Sequence, residues 1–184
     1  MNNGSKFDYK KYLPYAGIAL AIVVVIIIIS SLMGGPKKAV KEYVSGMNKL
    51  SASKILDSMD IVGTMAWGYY DVDDFSDDDY DEFIEEYEEY EDGYGEEIRE
   101  LLEDREDDMD RMFEEYEDEY KSFKTKIEKF KGVEKLGKDL YAVEVKISME
   151  VEPKDKDEDE MEETITTTFV VYKDKVISAG DIVF

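Results

Sequence analysis

Carboxylates and phenols are the groups in this chain that could do chemistry. It holds 47 Asp and Glu and 14 Tyr, and it has neither His nor Cys. That composition excludes imidazole bases, Ser-His-Asp and Cys-His arrangements, thiolate nucleophiles, zinc clusters and disulfides. One acidic run has the spacing of a calcium loop. From Asp74, oxygen-bearing residues fall at positions 1, 3, 5, 9 and 12 (Asp74, Ser76, Asp78, Glu82, Glu85), as in an EF-hand. Position 6, where that loop turns on glycine, is Asp79. So acidic a run reaches this spacing by chance, and a plainer reading is a helix start with Ser76 as cap and Asp77, Asp78 and Asp79 on the favourable end of the dipole. No metal ligand is assigned.

Two further groupings have a functional and an ordinary reading. Trp67, Tyr69 and Tyr70 could line a cavity and grip a sugar or a peptidoglycan fragment, but aromatic residues are more often core. A carboxylate and a tyrosine could abstract a proton and hold the resulting oxyanion, which needs a buried Asp base with a phenol aimed at that oxygen. With so many acids and tyrosines the sequence singles out no pair. No catalytic residue and no cofactor are assigned, and the protein is expected not to be an enzyme.

The elements that must position these groups are set by charge and period. Residues 71–119 hold 28 Asp and Glu against Arg99, Arg105 and Arg111, a net of −25, while the whole chain carries −24. An acidic segment is thus inserted in a nearly neutral frame. Its field repels nucleic acid and anionic headgroups and attracts cations or basic partners. Within it Tyr80, Phe83, Tyr87, Tyr90, Tyr94, Ile98, Leu101, Arg105, Met109, Met112, Tyr116, Tyr120 and Phe123 recur at three or four residues, the helical period. Gly93 and Gly95 divide the stripe into predicted helices over 77–92 and 96–122. Like charges at i, i+4 weaken such helices by a few tenths of a kcal/mol per pair, roughly, so the stripe must pack on something.

Upstream, Tyr15–Met33 is free of charge and includes an unbroken run from Ile22 to Ile29. As a helix it spans roughly 28 Å, about the hydrocarbon thickness of a bilayer. It reads as a transmembrane anchor after a short basic tail (1–14), with Gly34-Gly35-Pro36 as a breaker. A cleaved signal peptide is the competing reading, but Ser30–Pro36 offers no good small-x-small cleavage site. Counting lysines on either side slightly favours a cytoplasmic C-terminus, yet a short basic tail before a single helix is the usual form of an anchor whose C-terminal domain is exported. The domain of residues 37–184 is therefore expected outside the cytoplasm, tethered to the cell membrane.

After the breaker, Val40, Tyr43, Val44 and Met47 form one face of a helix over Lys37–Leu50. Ser51 or Ser53 then caps a second, which buries Ile55, Leu56 and Met59. From about Thr125 the period becomes two. Lys124–Val133 is the first predicted strand. Tyr141, Val143, Val145, Ile147, Met149 and Val151 then alternate with Ala142, Glu144, Lys146, Ser148 and Glu150, a half-buried antiparallel strand. Glu152–Glu160 reads as a charged loop, and strands over Thr164–Tyr172 and Val176–Val183 meet at a tight turn on Lys173-Asp174. Helices followed by strands make the class α+β.

The segment from Pro36 to Met59, with Ala39-Val40-Lys41-Glu42-Tyr43-Val44 and Leu50-Ser51-Ala52-Ser53-Lys54-Ile55-Leu56 within it, resembles the opening helix pair of nuclear transport factor 2-like (cystatin-like) modules of bacterial envelope proteins. Val133–Val145 resembles the strand-turn-strand of the same family. The resemblance covers about 85 of the 184 residues as a pattern, not a signature motif. It implies a curved antiparallel sheet wrapped around helices as a cone with a cavity, and a setting in Gram-positive-type bacteria as a single-anchor, extracytoplasmic module. It implies no chemistry. Residues 71–122 depart from it as an acidic helical insertion.

The sequence therefore leads to a non-catalytic, membrane-anchored binding or interaction module whose acidic helices meet a basic partner or divalent cations, and not nucleic acid. Two alternatives are an isomerase-like or hydrolytic enzyme using Asp and Tyr in the cavity, and a self-associating envelope structural protein in which the helical stripe pairs between copies.

Overall fold

The computed structural model describes residues 35–155 and 159–180. The expected tail 1–14 and anchor 15–33 lie outside the described residues, among which no helix is long and apolar enough to cross a membrane. Gly35 and Pro36 of the expected breaker are helical, in an element described over 35–47 (α1). Four helices follow: α2 (Ala52–Ser58), α3 (Ile61–Trp67), α4 (Asp77–Gly93) and α5 (Gly95–Glu119). Then come β1 (Tyr120–Gly137), β2 (Leu140–Pro153), β3 (Met161–Tyr172) and β4 (Lys175–Ser178), an antiparallel sheet in the order β1-β2-β3-β4. The described residues are α+β, with helices packed on this sheet.

Helix α1 buries the predicted face of Val40, Tyr43, Val44 and Met47. It ends in a tight turn where Ser51 N donates to Gly46 O at 3.1 Å and Leu50 adopts a left-handed φ of 47°. A Cβ on Gly46 would lie 2.7 Å from Ile55 Cγ1, so glycine lets α2 fold back against α1. Ser51 occupies the cap position of α2 as expected but makes no side-chain cap bond; its hydroxyl lies 3.3 Å from that of Ser53. Ile55 is fully buried, while Leu56 and Met59 are half-buried.

Helix α4 starts where its cap chemistry dictates. Ser76 Oγ accepts from Asp79 N at 3.3 Å and Asp79 Oδ2 accepts from Ser76 N at 2.7 Å, a reciprocal capping box. Helix α5 stops three residues before the predicted 122, and β1 runs well beyond Lys124–Val133 at both ends. The sheet takes these residues: Tyr120 pairs with Pro153, Phe123 with Val151, and Lys154 N donates to Glu119 O at 3.0 Å. Tyr120 and Phe123 of the helical stripe are therefore strand residues. Strand β4 ends at Ser178 rather than reaching Val183, and residues 181–184 lie outside the described set. The Lys173-Asp174 turn is as predicted, with both residues at positive φ (46° and 62°), the handedness a two-residue hairpin requires.

Both faces of the sheet carry helices. On one face Val143, Val145, Ile147, Phe169, Val171 and Val176 pack with α1, α2 and Phe113 of α5. On the other Leu140, Val170, Tyr172 and Ile177 pack with Ala66 and Trp67 of α3 and with Phe83 and Tyr87 of α4. Double coverage explains why Phe169-Val170-Val171-Tyr172 is a continuous buried run and why Ala142, read as solvent-facing, is buried. Phe83 is the hub of the second cluster, fully buried, with ring centroids of Tyr172 at 5.2 Å, Trp67 at 5.9 Å, Tyr87 at 6.2 Å and Tyr70 at 6.3 Å. Aromatic pairs of this kind contribute about 0.5–1.5 kcal/mol each beyond their buried area.

Replacing Phe83 by Ala is expected to destabilise the fold by about 3–5 kcal/mol, whereas Tyr69→Ala, at a side chain 84 % exposed, shifts it by less than about 0.5 kcal/mol. Denaturant unfolding of the two variants checks the contrast.

Candidate functional site

The apolar stripe fixes which way the acids point. Phe83 and Tyr87 anchor α4, and Ile98 and Phe113 are buried on α5. Met109, Met112 and Tyr116 are half-buried around Phe113, which the three-or-four spacing had passed over. Between these anchors the stripe thins, with Tyr94 46 % and Leu101 42 % exposed. The carboxylates of Asp81, Glu82, Glu85, Glu88, Asp104, Asp107, Asp108, Glu114 and Glu115 face solvent. Arg111 turns back on its own helix, to Asp108 at 2.5 Å and to the Asp107 carbonyl at 3.3 Å. Neither α4 nor α5 has a basic residue in its last turn, so Glu117, Asp118 and Glu119 add to the negative end of the α5 dipole. The result is a negative surface displayed on two helices, dense at the start of α4 and at the end of α5.

Most of the calcium-spaced residues lie in the first turns of α4 and not in a loop. Ser76, Asp77, Asp78 and Asp79 serve the start of α4, and the capping box engages the hydroxyl of Ser76, the third position of the run; hydrogen bonding to Ser76 holds the Asp79 carboxyl below its usual range. Among the described residues no group of three or more carboxylates is arranged to hold a metal.

The structure does bring one carboxylate and one phenol together. Tyr87 Oη donates to Asp60 Oδ2 at 3.0 Å, and Asp60 Oδ1 accepts from Gly63 N at 3.1 Å as the cap of α3. The Lys173 ammonium lies 4.6 Å from the Tyr87 ring centroid and 4.8 Å from that of Tyr172. Burial, and then the Asp60 charge, push the Tyr87 phenol far above its ordinary range. Both carboxylate oxygens are engaged, so the pair acts as a latch joining α3, α4 and the β3–β4 turn.

The expected aromatic group separates. Trp67 is 5 % exposed and packs with Phe75 (4.9 Å) and Tyr70 (5.7 Å) inside the second cluster, while Tyr69 points to solvent. Tyr70 is half-buried at the wall of a cleft of about 500 Å³, together with Asp71, Asp73, Glu144, Thr166, Thr168 and Ser178. Glu144 is held there by Lys131 at 3.3 Å. Burial first, then the charges of Glu86, Glu82 and Asp79, push the Tyr70 phenol up to about 12. No family model, curated protein or solved structure matches this chain, so its function is read from its own geometry.

Two outcomes follow from the phenols. Tyr87→Phe strands one Asp60 oxygen and is expected to cost about 1–3 kcal/mol in denaturant unfolding. Burial also raises Tyr43 to about 12. A phenol that ionises near 10 when unfolded and near 12 when folded stabilises the fold fully below pH 10 and loses that contribution as pH rises toward 12. Absorbance titration should therefore show late-ionising tyrosines, with stability falling between about pH 10 and 12.

Proposed function

We propose that this protein is a membrane-anchored, non-catalytic binding module, exposed outside the cytoplasm, whose acidic helices α4 and α5 engage a basic protein partner. The observation that carries the reading is the division of labour on these helices: aromatic residues go into the core and the carboxylates outward, so the charge is displayed on a folded frame. A preordered surface loses little conformational entropy on binding, and a concentrated field speeds encounter with a basic partner. The charge-free run 15–33 supports the anchor. The likeness of Pro36–Met59 and Val133–Val145 to nuclear transport factor 2-like modules supports the extracytoplasmic setting, with the α1–α2 pair and the antiparallel sheet as the parts that fit a cone. The layer of α3 and α4 on the second face goes beyond that pattern. The absence of a converging carboxylate set among the described residues favours a protein partner over a coordinated divalent cation, which on this surface acts by screening.

Photo-crosslinking of the full chain in its own membranes tests the reading, with the reactive group placed at Asp107 or Glu114 on the outward side of α5. Capture of a basic protein, with yield falling at least about tenfold between about 0.05 and 0.5 M NaCl, is expected. Calcium and magnesium should reduce it equally at matched ionic strength. Capture undiminished by salt, or of acidic proteins alone, contradicts the proposal.

A further inference from the structure

Two stretches after the candidate anchor are rich in lysine, the edge strand β1 and the segment 36–59. Residues 36–59 hold Lys37, Lys38, Lys41, Lys49 and Lys54 against Glu42 and Asp57 in a chain of net −24. Folding gathers four of these lysines. Lys38 and Lys41 come from successive turns of α1, Lys49 from the left-handed turn after it, and Lys54 from the first turn of α2. All four line one hollow of about 300 Å³, with Ser45, Ser58, Glu42 and Asp57 completing its wall. Glu42 is paired with Lys38 at 3.5 Å. Lys175, from the start of β4, donates to the Asp57 carbonyl at its rim.

Fold stability does not account for this grouping. Lys49, close behind α1, suits the negative end of that helix, but Lys54 stands in the first turn of α2, where the dipole disfavours a cation. The two ammonium groups face each other closely enough that Lys49 lowers the Lys54 pKa below its ordinary value. An anion placed between them relieves their repulsion. The Lys41 ammonium lies 5.7 Å from the Phe130 ring centroid and that of Lys38 beside Glu42, which leaves Lys49 and Lys54, from the turn and α2, to meet the oxygens of a tetrahedral phosphate group.

We propose that the α1–α2 lysine hollow is a binding site for a phosphate group. This inference is independent of the acidic face. A phospholipid headgroup and a soluble phosphate compound share the chemistry. The lipid source draws on the anchor reading, since Lys38 follows Met33 by five residues, within reach of a membrane surface.

Calorimetric titration of the full chain in an alkyl maltoside, which carries no phosphate, tests the site with two probes: pyrophosphate, and glycerophosphoglycerol as the headgroup of an anionic phospholipid. Saturable binding of at least one probe is expected, weakened at least about tenfold by the double variant Lys49→Ala/Lys54→Ala and unchanged by Lys138→Ala, an exposed lysine near the β1–β2 turn. Circular dichroism confirms that the variants are folded. Binding of glycerophosphoglycerol under these criteria assigns the site to a headgroup, and binding of pyrophosphate alone assigns it to a soluble phosphate compound. Saturable binding of neither probe, or binding insensitive to the double variant or equally reduced by Lys138→Ala, overturns the proposal.

Discussion

Repulsion among 28 carboxylates within 49 residues is the constraint around which the fold is organised. Acidic neighbours at i, i+4 destabilise a helix along its whole length, and the intrahelical pair of Arg111 with Asp108 offsets little of it. What holds α4 and α5 in place is external: Phe83 and Tyr87 on one face of the sheet, and Phe113 with its half-buried methionine and tyrosine neighbours on the other. Each fully buried aromatic side chain contributes a few kcal/mol, roughly, against a few tenths for each repulsive pair, so a few anchors suffice. The sheet must therefore present two apolar faces, and the doubly buried run Phe169–Tyr172 is the sequence counterpart of that need.

A second consequence concerns the edge of the sheet. Among the described residues strand β1 has only β2 as a strand neighbour, and it is 18 residues long, a form open to pairing with other chains. It carries Lys121, Lys124, Lys126, Lys129 and Lys131, several of them tied to Glu152, Glu150, Glu128 and Glu144, and its register is interrupted repeatedly along its length. Charge and irregularity protect the edge, at little gain in stability, because these pairs are solvent-exposed.

Much of this was legible in the residues. Ser76 followed by Asp79 marks the start of α4, Lys173-Asp174 marks the hairpin, and the alternation from Tyr141 to Val151 marks β2, because each is a local rule obeyed locally. Residues 61–67 fall within a stretch, 37–131, that reads as helical, but α3 does not stand out there as a separate element. It is seven residues long with Gly63 in its middle, and that glycine answers to a distant contact: a Cβ there would lie 2.4 Å from Ile177 Cγ2. The α5–β1 junction was misplaced because Tyr116, Tyr120 and Phe123 satisfy the helical spacing while long-range pairing with β2 decides the outcome. The acidic face follows from composition alone. The lysine hollow does not, since it depends on Leu50 adopting a left-handed conformation that leucine seldom takes, in a turn tied to β1 where Asn48 Oδ1 accepts from Thr125 N at 2.9 Å.

The dependence of the acidic helices on the sheet is tested most directly by native-state hydrogen exchange of the full chain. If packing alone holds them, the amides of Phe83, Tyr87 and Phe113 exchange only through the same global opening as Val145 and Phe169. Acidic-helix amides that exchange rapidly while the sheet stays protected would contradict this account.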